Sequence, residues 1–186
     1  MIMILNVIVF LIVLIAELLV GFALIFSVIK PKSRIWPPPS RESWQFKFMW
    51  SLLPIIYVGV PLVGIVDWDT FMFFHFSRFI IGGAVAGAGV FIFIWGIRTL
   101  STHSTVGLKG ELVQKGPYGF SRNPQTVAIF CIFVGLILIC NSIFVLITGI
   151  LAIVGHAIAP FAEEPWLREQ HGEKFEEYCK KVRRFL

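Results

Sequence analysis

Two groups of residues have the types and spacing to do chemistry. Glu163 and Glu164 are adjacent acids, followed by Pro165-Trp166-Leu167 at the close of a long hydrophobic stretch, where a carboxylate can bind a cation or take a proton. Acids at the carboxyl end of a helix oppose its dipole, so this placement carries an electrostatic cost that a function would explain. Glu163 follows His156 by seven residues and can share its helix face, with Pro160 expected to kink the path between them. In the second group Arg122 precedes Asn123 and Pro124; Asn123 can cap a helix and Pro124 suits its first turn. A guanidinium fork beside a helix amino terminus is well placed to hold a carboxylate.

Smaller features accompany these. Gly83-x-x-x-Gly87 has the small-residue spacing that lets membrane helices approach closely, and Gly87-Ala88-Gly89 also leaves room for a ligand against the backbone. Glu17 stands inside an apolar run, where an ionisable residue is a candidate for function or a neutral, hydrogen-bonded packing contact. Cys131, Cys140 and Cys179 form no CxxC and have no His at ligand spacing, so the pattern indicates neither a metal site nor a disulfide framework.

The elements that must position these groups are membrane helices. Hydrophobic residues make up 57% of the chain and charged residues 15%, with a mean hydropathy of +0.84; a soluble domain has about a quarter of its residues charged. Uncharged or nearly uncharged runs cover Ile2 to Ile29, Phe48 to Val66, Phe79 to Ile97, and Asn123 to Ala162. The last is twice the roughly 20 residues needed to span a bilayer, and Asn141-Ser142 at its midpoint marks a turn. The expected fold is therefore an all-α membrane protein with five transmembrane helices, the last two a helix-turn-helix hairpin. Residues Glu173 to Arg184 follow as a carboxyl-terminal amphipathic helix, with Phe175, Tyr178, Cys179 and Val182 on one face.

Fifteen of the 16 Lys and Arg fall on one side of this five-span scheme, Arg78 being the other. The positive-inside rule then puts the amino terminus outside and the carboxyl terminus in the cytoplasm. The formal net charge of +5 is read as topology, with no nucleic-acid partner; the partner is the lipid bilayer. Residues 1–29 lack a basic n-region and a small-x-small cleavage site, and are read as a retained anchor. Pro37-Pro38-Pro39 stiffens the first cytoplasmic loop.

Three of these features together resemble one family. They are Leu112-Val113-x-x-Gly116-Pro117-Tyr118-x-x-x-Arg122-Asn123-Pro124, the hydrophobic hairpin, and Glu163-Glu164-x-x-Leu167 leading to Gly172-Glu173-x-Phe175-x-x-Tyr178 and a basic end. In this order they are similar to the integral-membrane methyltransferases that include isoprenylcysteine carboxyl methyltransferases and phospholipid methyltransferases, over roughly residues 80–186. The resemblance implies an S-adenosylmethionine-dependent enzyme that methylates a lipophilic acceptor: a prenylcysteine-like carboxylate, a phospholipid amine or a small lipophilic molecule. It implies a single membrane domain, with residues 1–76 supplying two helices and loops and residues 77–186 the cofactor-binding core. It also implies catalytic roles for Arg122, Glu163 and Glu164, and cofactor contacts from Gly87, Gly89, Leu112, Val113, Gly116, Tyr118, Asn123, Pro124, Glu163 and Glu164.

The sequence departs from the family pattern at Asn123, where a His is usual, at Thr126, where an aromatic residue is usual, and at Gly110, where carboxyl methyltransferases carry a cofactor-contacting His. His103 or Glu111 is a candidate replacement for that His. Asn-Pro with Glu-Glu-Pro is closer to the phospholipid branch. Alternatives are an NADPH-dependent membrane oxidoreductase resembling sterol reductases, whose late region is similar, and a non-catalytic membrane protein.

Overall fold

The computed structural model describes residues 2–71, 75–100 and 102–186. Among them the regular structure is entirely helical: α1 (Ile2–Ile29), α2 (Trp44–Val66), α3 (Ser77–Thr99), the single turn α4 (Thr102–Thr105), α5 (Pro124–Cys140), α6 (Ile143–His171) and α7 (Glu173–Lys181). Four of these, α1, α2, α3 and α6, are long and apolar enough to cross a membrane, and α5 is a shorter apolar helix of 17 residues. Large apolar side chains such as Ile15, Phe22, Ile65 and Phe91 lie exposed on the helix surfaces, the inverse of a soluble protein.

The helix starts follow local chemistry. Ser43 and Ser142 cap α2 and α6 by accepting the backbone N–H of Phe46 and Val145, which satisfies donors that have no partner within the helix. Pro124 opens α5 as expected, but Asn123 makes no side-chain cap; its Nδ2 instead donates to the Arg184 carbonyl at 3.0 Å. The α5–α6 turn falls at Asn141-Ser142, with Asn141 in the left-handed region at φ 47°. That turn is tied to the α2–α3 loop. Ser142 Oγ donates to Asp67 Oδ2 at 2.5 Å, and Asn141 Nδ2 and Arg78 Nη1 donate to Asp69 Oδ1 at 2.6 and 2.5 Å. The bonds from Arg78 and then Asn141 hold the Asp69 carboxyl below its usual range.

Two expectations are corrected at the other end of the bundle. α6 runs unbroken through Pro160 and Pro165 to His171, so Glu163 and Glu164 lie well inside the helix and do not oppose its carboxyl end. The amphipathic tail helix stops at Lys181, with Val182 already extended, and the next three carbonyls bond to the Arg122 loop. Val182 O accepts from Arg122 Nη1, Arg183 O from the Arg122 backbone N–H, and Arg184 O from Ser121 Oγ and Asn123 Nδ2.

α3 packs against α5 on a seam of small residues, but the face is not the expected one. A Cβ on Gly82 would stand 2.9 Å from the Gly135 carbonyl and one on Gly89 2.7 Å from the Ala128 carbonyl, whereas Gly83 and Gly87 have nothing within 4 Å. Gly89→Ala is therefore expected to destabilise the protein by about 1–3 kcal/mol, since neighbouring backbone must shift. Gly87→Ala, which meets open space inside α3, should leave stability unchanged or raise it by up to about 1 kcal/mol. Thermal unfolding of the two variants in detergent checks the contrast.

Candidate active site

The site is built where the ends of α3, α6 and α7 meet the loop between α4 and α5. Consecutive residues of a helix point about 100° apart, so Glu163 and Glu164 have different surroundings. Glu164 is 4% exposed and lies among guanidinium groups. Arg122 Nη2 and Arg184 Nε donate to its Oε1, both at 2.8 Å, Arg184 Nη2 donates to Oε2 at 2.7 Å, and Arg168 Nη2 stands 3.7 Å away. Arg122 uses Nη1 on the carbonyls of Cys179 and Val182, both at 3.1 Å. Arg184 also lies over the Phe161 ring, 4.0 Å from its centroid. Arg122, Glu164 and Arg184 thus form a clasp that holds the tail across α6 and the Arg122 loop. Tyr178 adds a bond from its hydroxyl to the Tyr118 carbonyl at 2.6 Å. Burial pushes the Tyr178 phenol up to about 12 and lifts the Tyr118 phenol further, with the Glu163 charge a second cause there. Both remain protonated.

Glu163 points the other way. Its Oε1 accepts the Trp36 indole N–H at 2.6 Å, a contact with the loop between α1 and α2. Two cavities meet at this pair. The first, of about 180 Å³, is lined by a mixture of polar groups, rings and aliphatic side chains from the loops, the ends of α5 and α6, and the tail, among them Glu111, Tyr118, Arg122, Gln125, Trp166 and His171. The second, of about 330 Å³, runs between the helices and is lined mainly by apolar residues of α1, α2, α3, α5 and α6. Trp36, Thr105, Gln125, Thr126 and Glu163 line both.

The model of the family described as phospholipid methyltransferase matches residues 77–174, more than half of the chain. The chain belongs to the phospholipid methyltransferase family. Searches of curated proteins and of solved structures give no match. The two cavities differ in character, the first carrying polar groups and reaching the loops, the second apolar and inside the helices.

Of the residues singled out from sequence, Leu112, Val113, Tyr118, Arg122, Asn123, Pro124, Glu163 and Glu164 all line the polar cavity. Gly87, Gly89 and Gly116 line neither cavity. Gly89 is taken up by packing on α5, and Gly87 is open on the outer side of α3. Gly116 lies against Thr99 and Trp95 at φ +60°, a turn that favours glycine. Glu111 lines the polar cavity, as does His171 at the end of α6, whereas His103 is exposed and lines neither.

Sequence reasoning missed Trp36, Gln125 and Arg184. Trp36 precedes the proline triplet, which read only as a stiff spacer, and Arg184 was one basic residue among five in the tail. Their partners lie 127 and 20 residues away, so no local spacing signals them.

The polar cavity carries donors with unmet capacity. Among the described residues, Arg122 Nε and Gln125 Nε2 are buried without a hydrogen-bond partner, and a buried donor left unpaired is costly. Both fit an anionic or carbonyl group, and the rings of Tyr118, Trp166 and Phe175 fit a flat heterocycle beside them.

Proposed function

We propose that this protein is an S-adenosylmethionine-dependent methyltransferase acting on a lipophilic amine, with the donor in the polar cavity and the acceptor in the apolar chamber. The observation that carries this reading is the shared wall. Five residues, Glu163 among them, line both cavities, so a donor and an acceptor held there meet at one carboxylate. S-adenosylmethionine supplies, when bound, an electrophilic methyl group on a sulfonium. The donors suited to its carboxylate are Arg122 Nε and Gln125 Nε2; Tyr118, Trp166 and Phe175 suit its adenine, and Glu111 its ribose hydroxyls.

The chain contributes position, charge and dryness, which dominate an in-line displacement. Glu163 takes the proton that an amine must lose before its lone pair is free. Trp36 fixes that carboxylate and closes the chamber from the loop side. Glu164 holds Arg122 and the tail in place, a positioning role. The whole chain then acts as one unit, residues 1–76 completing a chamber whose chemistry lies in residues 77–186.

The same reading assigns five crossings. At about 1.5 Å per residue α5 reaches roughly 26 Å, near the lower limit for a hydrocarbon core, and the basic ends of α1, α3 and α6 then lie in the cytoplasm, with the amino terminus outside.

Isothermal titration of the detergent-solubilised protein tests the donor assignment. Saturable binding of S-adenosylmethionine, and none of NADPH, is expected; NADPH binding without S-adenosylmethionine binding would move the assignment to a reductase.

A further inference from the structure

The apolar chamber has a polar group at its far end that methyl transfer does not use. Glu17, on α1, is 6% exposed and lines the chamber together with Val20 and Leu24 of the same helix face. Both of its carboxyl oxygens are buried without a hydrogen-bond partner among the described residues. The nearby polar pair on the chamber wall does not meet this need. Tyr57 Oη lies 2.7 Å from His156 Nε2, and His156 Nδ1 lies 2.8 Å from the Ala152 carbonyl. The carbonyl can only accept, so Nδ1 carries the proton and Nε2 accepts from the Tyr57 hydroxyl. That pair is satisfied and Glu17 is not.

The position of Glu17 along the chamber follows from packing. Phe10 stacks on Phe144, and Leu24 reaches the face of Gly155. Glu17, midway between Phe10 and Leu24, is therefore level with α6 near Ile150, and Glu163 lies roughly 20 Å further along that helix at its rise per residue. In hydrocarbon an unpartnered carboxyl is unfavourable unless something supplies a donor.

We propose that Glu17 is a specificity site for the acceptor: it accepts a hydrogen bond from a hydroxyl or amine carried in the hydrocarbon part of an amphiphile whose reactive head lies at Glu163. The inference rests on the proposed use of the chamber by the acceptor. It selects a molecule with two polar points separated by an extended apolar stretch over a singly headed lipid chain. The site lies on α1, outside the segment 77–174 matched by the family model.

The test compares three probes, hexadecylamine, its terminal-hydroxyl analogue and its terminal-amine analogue, binding to detergent-solubilised protein. The readout is quenching of the tryptophan fluorescence to which Trp36 and Trp50 on the chamber wall contribute. The parent is expected to bind at least one of the doubly headed chains about tenfold more tightly than hexadecylamine, the order of one hydrogen bond to a buried group. The arm that gains identifies the donor as hydroxyl or amine. Glu17→Leu should erase the preference without weakening hexadecylamine, and Glu17→Gln, which keeps an acceptor oxygen, should retain most of it. Equal binding of all three chains to the parent, or a preference that survives in Glu17→Leu, overturns the specificity site while leaving the chamber assignment intact. Failure of every chain to bind the parent overturns both. Circular dichroism melts of the variants exclude unfolding as the source of a loss.

Discussion

Glu163→Gln is expected to lower the rate of methyl transfer at least about 100-fold, the lower range for removal of a positioned base, with little change in stability. The argument rests on what the substitution keeps. The Trp36 indole N–H donates to Glu163 Oε1 at 2.6 Å, and a glutamine carbonyl accepts the same bond from the same place, so the wall between the cavities stays in position. What is lost is the ability to take a proton. The loss should appear in kcat, with affinity for the donor nearly unchanged, because the unpaired donors assigned to it are Arg122 Nε and Gln125 Nε2. Trp36→Phe separates the two functions of this contact. It leaves the carboxylate but removes its tether, and should give a partial loss that Glu163→Gln then masks. A Glu163→Gln enzyme with parental kcat would remove Glu163 from the chemistry.

The second large effect is structural. Glu164→Gln should destabilise the protein by about 3–5 kcal/mol, the cost of breaking a buried ion pair from one side. The carboxylate is 4% exposed and receives three hydrogen bonds from Arg122 and Arg184. An amide in its place offers one acceptor oxygen and turns an NH2 group toward two guanidinium groups. The tail should loosen first, since the carbonyls of Cys179 and Val182 are held by Arg122 itself. Hydrogen exchange is expected to speed up from Phe175 to the carboxyl terminus before it does so in α3 or α5. Combining Glu164→Gln with Arg184→Ala should cost less than the sum of the two single changes, because the groups share one network. Strict additivity would show that they act independently. These outcomes distinguish the two adjacent acids: one change stops chemistry in a folded protein, and the other opens the fold around the site.

Helices, the hairpin turn and the clustering of motif residues were legible in the sequence because each rests on local information. Run length marks the spans, and Asn141-Ser142 marks a turn inside an otherwise uninterrupted apolar run. Leu112, Val113, Tyr118, Arg122, Asn123 and Pro124 of the motif, and Glu163 and Glu164 of α6, line one cavity, while Gly116 does not. What was not legible depends on the angle at which a side chain leaves a helix and on partners distant in sequence. Glu163 and Glu164 read as a pair, yet the turn of α6 sends one to Trp36 and the other to Arg122 and Arg184. Gly87 and Gly89 were expected to contact the cofactor by resemblance, but the packing of α3 on α5 uses Gly89 and turns Gly87 outward. Asn123 had the residue type of a cap, and lost that role to competition from the Arg184 carbonyl. Glu17 was visible as an anomaly, but only the chamber gives its carboxyl a direction.

The most direct measurement is transfer of tritium from methyl-labelled S-adenosylmethionine into lipids extracted from the host, using purified protein in nanodiscs and Glu163→Gln in parallel. The account predicts label in an organic-soluble amine product with the parent and at most about one-hundredth as much with the variant. Absence of transfer to any lipophilic fraction by a parent protein that binds the donor, or equal transfer by both proteins, would contradict it.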